Sequence, residues 1–272
     1  MTRSGRDLLR AALERHVAKG GMLVGESVGV HGVTEGFAAG PGLLRTPLSE
    51  GAAVGVAVGL ALAGKKVIVE LVDPLGLVRA ADVLGELASL RARTGAAWSA
   101  PVVIRAPFAP FASLTAWPAG LRVAVAATAD DLVGMLAHAL DGLEPVLLLE
   151  APSAHEGVGT GAAVPPLGTA VTRREGKAAT VFALAGGVDA ALAVAEGEDV
   201  EVVDLRGLAP LDRAGLGAHV RRTGRAVVIG APEGLLVALE EAFLSLEAPL
   251  ISLPADASPD RIAAAIRDTV SY

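Results

Sequence analysis

Leu8, Leu9, Ala12, Leu13 and Val17 recur at helical spacing among charged residues and predict an amphipathic helix. Gly20-Gly21 ends it before a short strand over Met22-Leu23-Val24. A Gly-rich loop follows, and Ser49 is placed to cap a helix whose body is GAAVGVAVGLALAG, closed by Gly64. Val67-Ile68-Val69-Glu70-Leu71 then reads as a strand. Gly51, Gly55 and Gly59 lie one turn apart, and because glycine lowers helix propensity, three in register imply close approach by another helix or a ligand. The pattern continues with a helical segment over Gly76 to Gly95, strands over Pro101 to Arg105 and Leu121 to Ala126, and a Thr128/Asp131 capping pair before a helix to Leu140. Pro145 to Glu150 is an unbroken apolar run ending in a carboxylate and predicts a buried strand. Strands alternating with helices predict a mostly parallel sheet covered on both faces.

The periodicity lapses between Ala151 and Leu167, which is rich in Gly, Pro and Ala, and the domain boundary is expected there. The second half starts afresh, with strands over Thr180 to Leu184, Val200 to Leu205, Ala226 to Ile229 and Leu250 to Leu253. Helical segments fall around Asp189 to Ala195, Arg213 to Arg222, Leu235 to Leu246 and Asp260 to Val270. The expected architecture is α/β with two doubly wound domains, over 1–155 and 169–272, joined by a linker over 156–168.

Composition narrows the chemistry. The absence of cysteine excludes disulfides, thiolate nucleophiles and Cys-ligated metal sites. Hydrophobic residues make up 52% of the 272-residue chain but aromatic ones only 3%, so the core must be built mostly from alanine, valine and leucine. A formal charge of −7, with basic residues only in short groups such as Lys65-Lys66 and Arg221-Arg222, argues against a nucleic-acid surface. The longest apolar stretch, Gly51 to Gly64, is too short to cross a bilayer and is expected to be a buried helix. The opening segment shows no apolar run of the secretory kind, and the absence of cysteine leads to the expectation of a reducing, cytoplasmic location.

Three stretches bear on function: Gly25-Glu26-Ser27-Val28-Gly29 with Val33-Thr34-Glu35-Gly36-Phe37; Thr46-Pro47-Leu48-Ser49-Glu50 running into the Gly/Ala/Val helix; and Val203-Asp204-Leu205-Arg206-Gly207-Leu208-Ala209-Pro210-Leu211-Asp212. Leu90-Arg91-Ala92-Arg93-Thr94-Gly95 and Pro101 to Pro107 extend the set. In order and separation these resemble the beta subunit of the 2-oxoacid dehydrogenase decarboxylating component, of pyruvate, branched-chain and acetoin type. The resemblance implies a transketolase-like pyrimidine-binding domain followed by a transketolase C-terminal-like domain. It also implies thiamine diphosphate as cofactor, shared with an alpha subunit that holds the diphosphate and magnesium, a second copy of this chain, and a lipoyl acyltransferase as further partner.

By the same resemblance Glu50 matches the family's glutamate that hydrogen-bonds the aminopyrimidine ring and activates the cofactor. Burial is expected to raise its pKa, which would suit a group that carries a proton at neutral pH. Read without the resemblance, Glu50 is a carboxylate stabilised at a helix N-terminus. Glu26 falls where related chains carry an acidic residue near the cofactor, and otherwise reads as a loop carboxylate. His31, between the first two motifs, is the one histidine proposed for the substrate site. His16, His138 and His219 read as exposed helical residues, and His155 falls in the linker.

Departures from the family pattern are concentrated near the expected site. The segment FAPFASLTAWPAG replaces a longer histidine-containing loop, and Val72-Asp73-Pro74-Leu75 stands where the family places aromatic residues. No G-D-G followed by a distant asparagine is present, so the charged end of the cofactor needs a separate chain. The leading expectation is a subunit that decarboxylates a 2-oxo acid and transfers the acyl or hydroxyalkyl unit. The alternatives are a catalytically silent scaffold or regulatory subunit, a divergent transketolase-like transferase subunit, and a single-chain nucleotide-binding protein, the last resting on fold analogy alone.

Overall fold

The computed structural model describes residues 2–109, 117–230 and 243–272. They divide into two compact units, 2–109 with 117–167 and 168–230 with 243–272.

The first unit contains β1 (Arg3–Ser4), α1 (Gly5–Ala18), β2 (Met22–Gly25), β3 (Leu43–Arg45), α2 (Glu50–Leu62), β4 (Val67–Glu70) and α3 (Gly76–Arg79). It continues with α4 (Ala81–Arg93), β5 (Val102–Pro107), β6 (Arg122–Ala126), α5 (Ala129–Asp141), β7 (Val146–Glu150), α6 (Pro152–Glu156) and β8 (Val158–Gly159). Six of its strands run parallel in the order β6-β7-β5-β4-β2-β3. The β-branched and leucine runs of β4, β5 and β7 are fully buried, with Ile68, Ile104, Leu147 and Leu148 among the largest enclosed side chains. Each such side chain contributes about 1.5–3 kcal/mol on leaving water, which is what holds a parallel sheet whose two faces are both covered.

The helix starts follow their sequence signals. Ser49 Oγ accepts from the Ala52 N–H at 3.3 Å, and Thr128 Oγ1 accepts from the Asp131 N–H at 3.2 Å while donating to Asp131 Oδ2 at 2.7 Å. Two expectations need correction. The segment from Gly76 is broken at Ala80 into α3 and α4. The apolar α2 is buried only along Ala53, Val54, Ala57 and Ala61, leaving Gly55, Val56, Gly59 and Leu62 exposed. A Cβ at Gly55 or Gly59 would meet nothing within 4 Å, so close approach to that face is not supplied by the described residues.

The stretch read as a linker is partly regular structure. β8 pairs antiparallel with β1, and Asp130 Oδ1 accepts from the Thr160 and Gly161 N–H groups at 2.8 and 2.7 Å. Its glycines serve these close contacts: a Cβ at Gly159 would lie 2.5 Å from Asp130 Oδ1.

The second unit contains β9 (Val171–Arg174), β10 (Ala179–Ala183), α7 (Gly186–Val194), β11 (Val200–Asp204), β12 (Gly207–Ala209), α8 (Arg213–Thr223), β13 (Ala226–Ile229), β14 (Ile251–Leu253) and α9 (Pro259–Ser271). Its five-stranded sheet has the order β14-β13-β10-β11-β9, parallel except for the antiparallel edge strand β9. Both units are therefore α/β with parallel sheets, the expected fold class. The edge strand was missed because Val171-Thr172-Arg173-Arg174 carries no apolar alternation. The helix predicted over Leu235 to Leu246 lies outside the described residues as far as 242, and Phe243–Ser245 form a 3₁₀ turn.

The Asp204-Leu205-Arg206 motif works structurally. The fully buried Asp204 accepts from the Arg206 N–H at 3.0 Å and from Arg173 Nη2 at 2.7 Å. Arg206, also buried, donates through Nη1 to the Thr169 carbonyl at 3.0 Å.

Candidate active site

In parallel α/β sheets, ligands collect beyond the carboxyl ends of the strands. At that edge of the first unit, the residues following β2, β3 and β4 line a cleft of about 210 Å³ whose walls include Glu26, Thr46, Ser49, Glu50, Glu70 and Val72. That volume includes space open to solvent, and the room left between the walls is that of about one water. Gly25 shapes the edge, since a Cβ there would lie 2.6 Å from the Glu70 carbonyl oxygen.

Glu50 is the first residue of α2, directly after its Ser49 cap, so the unsatisfied N–H groups of the helix end favour its negative charge. Its side chain is 12% exposed. Arg79, at the end of α3, donates to Glu50 Oε1 through Nε at 2.9 Å and through Nη2, and the same Nη2 donates to Asp73 Oδ2 at 2.7 Å. Asp73 is itself fixed by its Oδ1 accepting the Leu75 N–H at 3.0 Å. The Arg79 hydrogen bonds hold the Glu50 carboxyl below the usual range, against burial, which acts the other way. This reverses the expectation of a raised pKa: the apolar helix does desolvate the group, but the guanidinium has the larger effect.

Glu70 sits on the same cleft in the opposite electrostatic situation. Burial pushes its carboxyl up, and the attraction of Arg105 does not fully offset it. Arg105 Nη1 donates to Glu70 Oε2 at 3.1 Å, while its Nε and Nη2 bind Glu150 Oε1 and Oε2 at 2.6 and 2.9 Å. His155 Nε2 lies 3.0 Å from Glu150 Oε2. Burial would raise the Glu150 carboxyl, but Arg105 and His155 reverse that and leave it low. One guanidinium thus serves two carboxylates across β4, β5 and β7, and of the three groups Glu70 lines the cleft. Two carboxyls on one cleft with pKa values displaced in opposite directions is a pattern associated with acid–base sites.

Of the three residues singled out by sequence, Glu50 and Glu26 line this cleft and His31 does not. His31 is exposed in the loop after β2, its N–H donating to the Ser27 carbonyl. Among the described residues that line the cleft none is aromatic, and Val72 stands there instead. The replaced loop falls mostly on 110–116, outside the described residues.

Of the other histidines, His138 is exposed on α5 as expected, whereas His16, His219 and His155 differ from expectation. His16 is 7% exposed, with Nε2 3.3 Å from the Met22 carbonyl oxygen. His219 lies 2.9 Å from the buried Glu201 and edge-on to Phe182, and His155 belongs to the Glu150 cluster. Their carboxylate partners are 5 to 18 residues away, and only folding brings them together.

Sequence reading passed over Glu70, Arg79, Arg105 and Thr46 as site residues. A charged residue ending a β-branched run, as in Glu70 and Arg105, was the available signal. Arg79 gave none. Thr46 lines the cleft, and its buried Oγ1 has no hydrogen-bond partner, which leaves a polar group that a ligand could satisfy. Among the described residues no group of three or more His, Asp or Glu side chains is placed to hold a metal ion, and no helix is long and apolar enough to cross a membrane.

Residues 168–260 match the profile of the transketolase C-terminal domain family. The chain is 36% identical to the 3-methyl-2-oxobutanoate dehydrogenase subunit beta of Mycobacterium tuberculosis, over 85% of this chain and 76% of that one. It is 32% identical to the pyruvate dehydrogenase E1 component subunit beta of Bacillus subtilis, over 89% and 84%. Among solved structures it is similar in fold to a split-gene transketolase described as an inactive beta4 tetramer, with a TM-score of 0.75 at 21% identity over 98% of each chain.

Proposed function

The chain belongs to the beta-subunit family of the 2-oxoacid dehydrogenase E1 components, and from that premise we propose that its Glu50 cleft receives the pyrimidine end of thiamine diphosphate held jointly with an alpha chain. The observation that carries this reading is the carboxyl set of the cleft. Glu50 stands at a capped helix start, with Glu26, Glu70 and the unpartnered Thr46 hydroxyl around it.

These donors and acceptors suit an aminopyrimidine. Glu50 would hold a proton at a ring nitrogen, Thr46 Oγ1 would take a polar contact, and Val72 would supply an apolar wall. When bound, the cofactor supplies the carbon nucleophile that adds to a 2-oxo acid. The diphosphate and its magnesium would be held by the alpha chain.

Two partners follow. One is the alpha chain. The other is a second copy of this chain, for which the exposed face of α2 (Gly55, Val56, Gly59, Leu62) offers a small-residue surface for close packing. Loss of the histidine-containing loop favours an acyl or hydroxyalkyl acceptor other than lipoamide. A catalytically silent subunit is the second reading, favoured by the ion pair that occupies Glu50.

Reconstitution tests the proposal. The chain mixed with an alpha partner carrying G-D-G and a downstream asparagine, with thiamine diphosphate and magnesium, is expected to release carbon dioxide from a 2-oxo acid. Pyruvate and 3-methyl-2-oxobutanoate are the first substrates to try. Both chains should be required. A well-assembled complex with bound cofactor that turns over no 2-oxo acid would instead favour the silent subunit.

A further inference from the structure

Within the cleft, Glu50 is already engaged by another residue of the same chain. Arg79 places Nε and Nη2 on Glu50 Oε1, the oxygen that lies toward Gly76. The clamp is fixed from three sides. Asp73 anchors the guanidinium from behind at 2.7 Å, and the Leu75 N–H anchors Asp73 in turn. Gly76 lets α3 close onto the carboxylate, because a Cβ there would lie 2.9 Å from Glu50 Cγ and 3.3 Å from Oε1. The guanidinium itself is only half-buried and rests on a four-residue helix, so it can swing out into solvent without unmaking the sheet. Both guanidinium contacts fall on Oε1, and with room for about one water beside the pair a ring nitrogen that reaches this oxygen has to take the place of Arg79.

We propose that Arg79 is a positioning residue for Glu50, clamping its carboxylate through the Asp73 anchor until an incoming ring nitrogen displaces the guanidinium. This rests on the cofactor reading above. Among the described residues the charged groups that face Glu50 are Arg79 and Asp73 from the β4–α3 segment, with Glu26 and Glu70 across the cleft. The lowered carboxyl of Glu50 agrees with the clamp, and an arginine whose own pKa is pushed up by the same hydrogen bonds is its counterpart.

Two readouts separate the clamp from a purely structural contact. The first uses the full chain alone, with Glu side chains carrying a carbon-13 carboxyl label and Glu50→Gln assigning the resonance. Arg79→Met is expected to raise the Glu50 titration midpoint, and Arg79→Lys to restore part of the difference. The second uses the assembled complex. Arg79→Met should lower the half-saturating concentration of magnesium thiamine diphosphate roughly two- to fivefold, the size of one partly exposed ion pair, and Arg79→Lys should raise it again. An unmoved midpoint overturns the proposal, as does a moved midpoint with an unchanged half-saturation. If the wild-type complex binds no thiamine diphosphate, the cofactor reading fails and the competition proposed here fails with it, whereas the titration still reports whether the ion pair exists.

Discussion

Replacing Glu50 with Gln in the assembled complex is expected to slow exchange of the cofactor's thiazolium proton by roughly two or more powers of ten, the size of a general acid–base contribution. Gln fills the same volume at the start of α2 and still accepts from Arg79, so the fold and the assembly should survive. It cannot share a proton with a ring nitrogen as a carboxyl does. Proton exchange followed by nuclear magnetic resonance reads this step before any substrate is added. If exchange is equally fast in wild type and variant, Glu50 serves only as the carboxylate of a helix end.

Removing the guanidinium of Arg105 should cost the fold about 3–5 kcal/mol, because Arg105→Met strands Glu150 and leaves Glu70 without its cation, both in a nearly water-free place. Arg105 and Glu150 are 3% and 6% exposed, with paired hydrogen bonds between them. Chemical denaturation measures the loss. Combining Arg105→Met with Glu150→Leu should recover part of it, since an apolar pair no longer holds a buried unpaired charge. A loss below about 1 kcal/mol in the single variant would mean that water reaches the cluster and that the charges are not held as described.

The strands were legible because β4, β5, β7, β10 and β13 are apolar runs bounded by turns, and parallel strands buried on both faces take that form. Capped helices were legible for the same local reason: Ser49 and Thr128 stand where their hydroxyls meet the third N–H along. The fate of α2 was not legible, because an alanine, glycine and valine helix is apolar on every side. Sequence alone cannot say which side meets the sheet and which is left for a partner.

The site was half visible. Glu50 and Glu26 stood out by resemblance and do share a cleft. The electrostatics did not, because the group that decides the state of Glu50 is 29 residues away on a helix with no distinguishing pattern. His31 does not line the cleft but stands exposed on the loop after β2, where a Cβ on its neighbour Gly32 would lie 3.7 Å from Glu70 Oε1.

The central claim is that this chain supplies half of a thiamine diphosphate site, and calorimetric titration tests it most directly. Magnesium thiamine diphosphate titrated into the isolated chain should give no binding heat or only weak binding, because on the proposed reading Glu50, Glu26 and Thr46 would contact the ring end alone. The same titration into the chain assembled with its alpha partner should give tight, magnesium-dependent binding. Micromolar, magnesium-dependent binding by the isolated chain would contradict the claim.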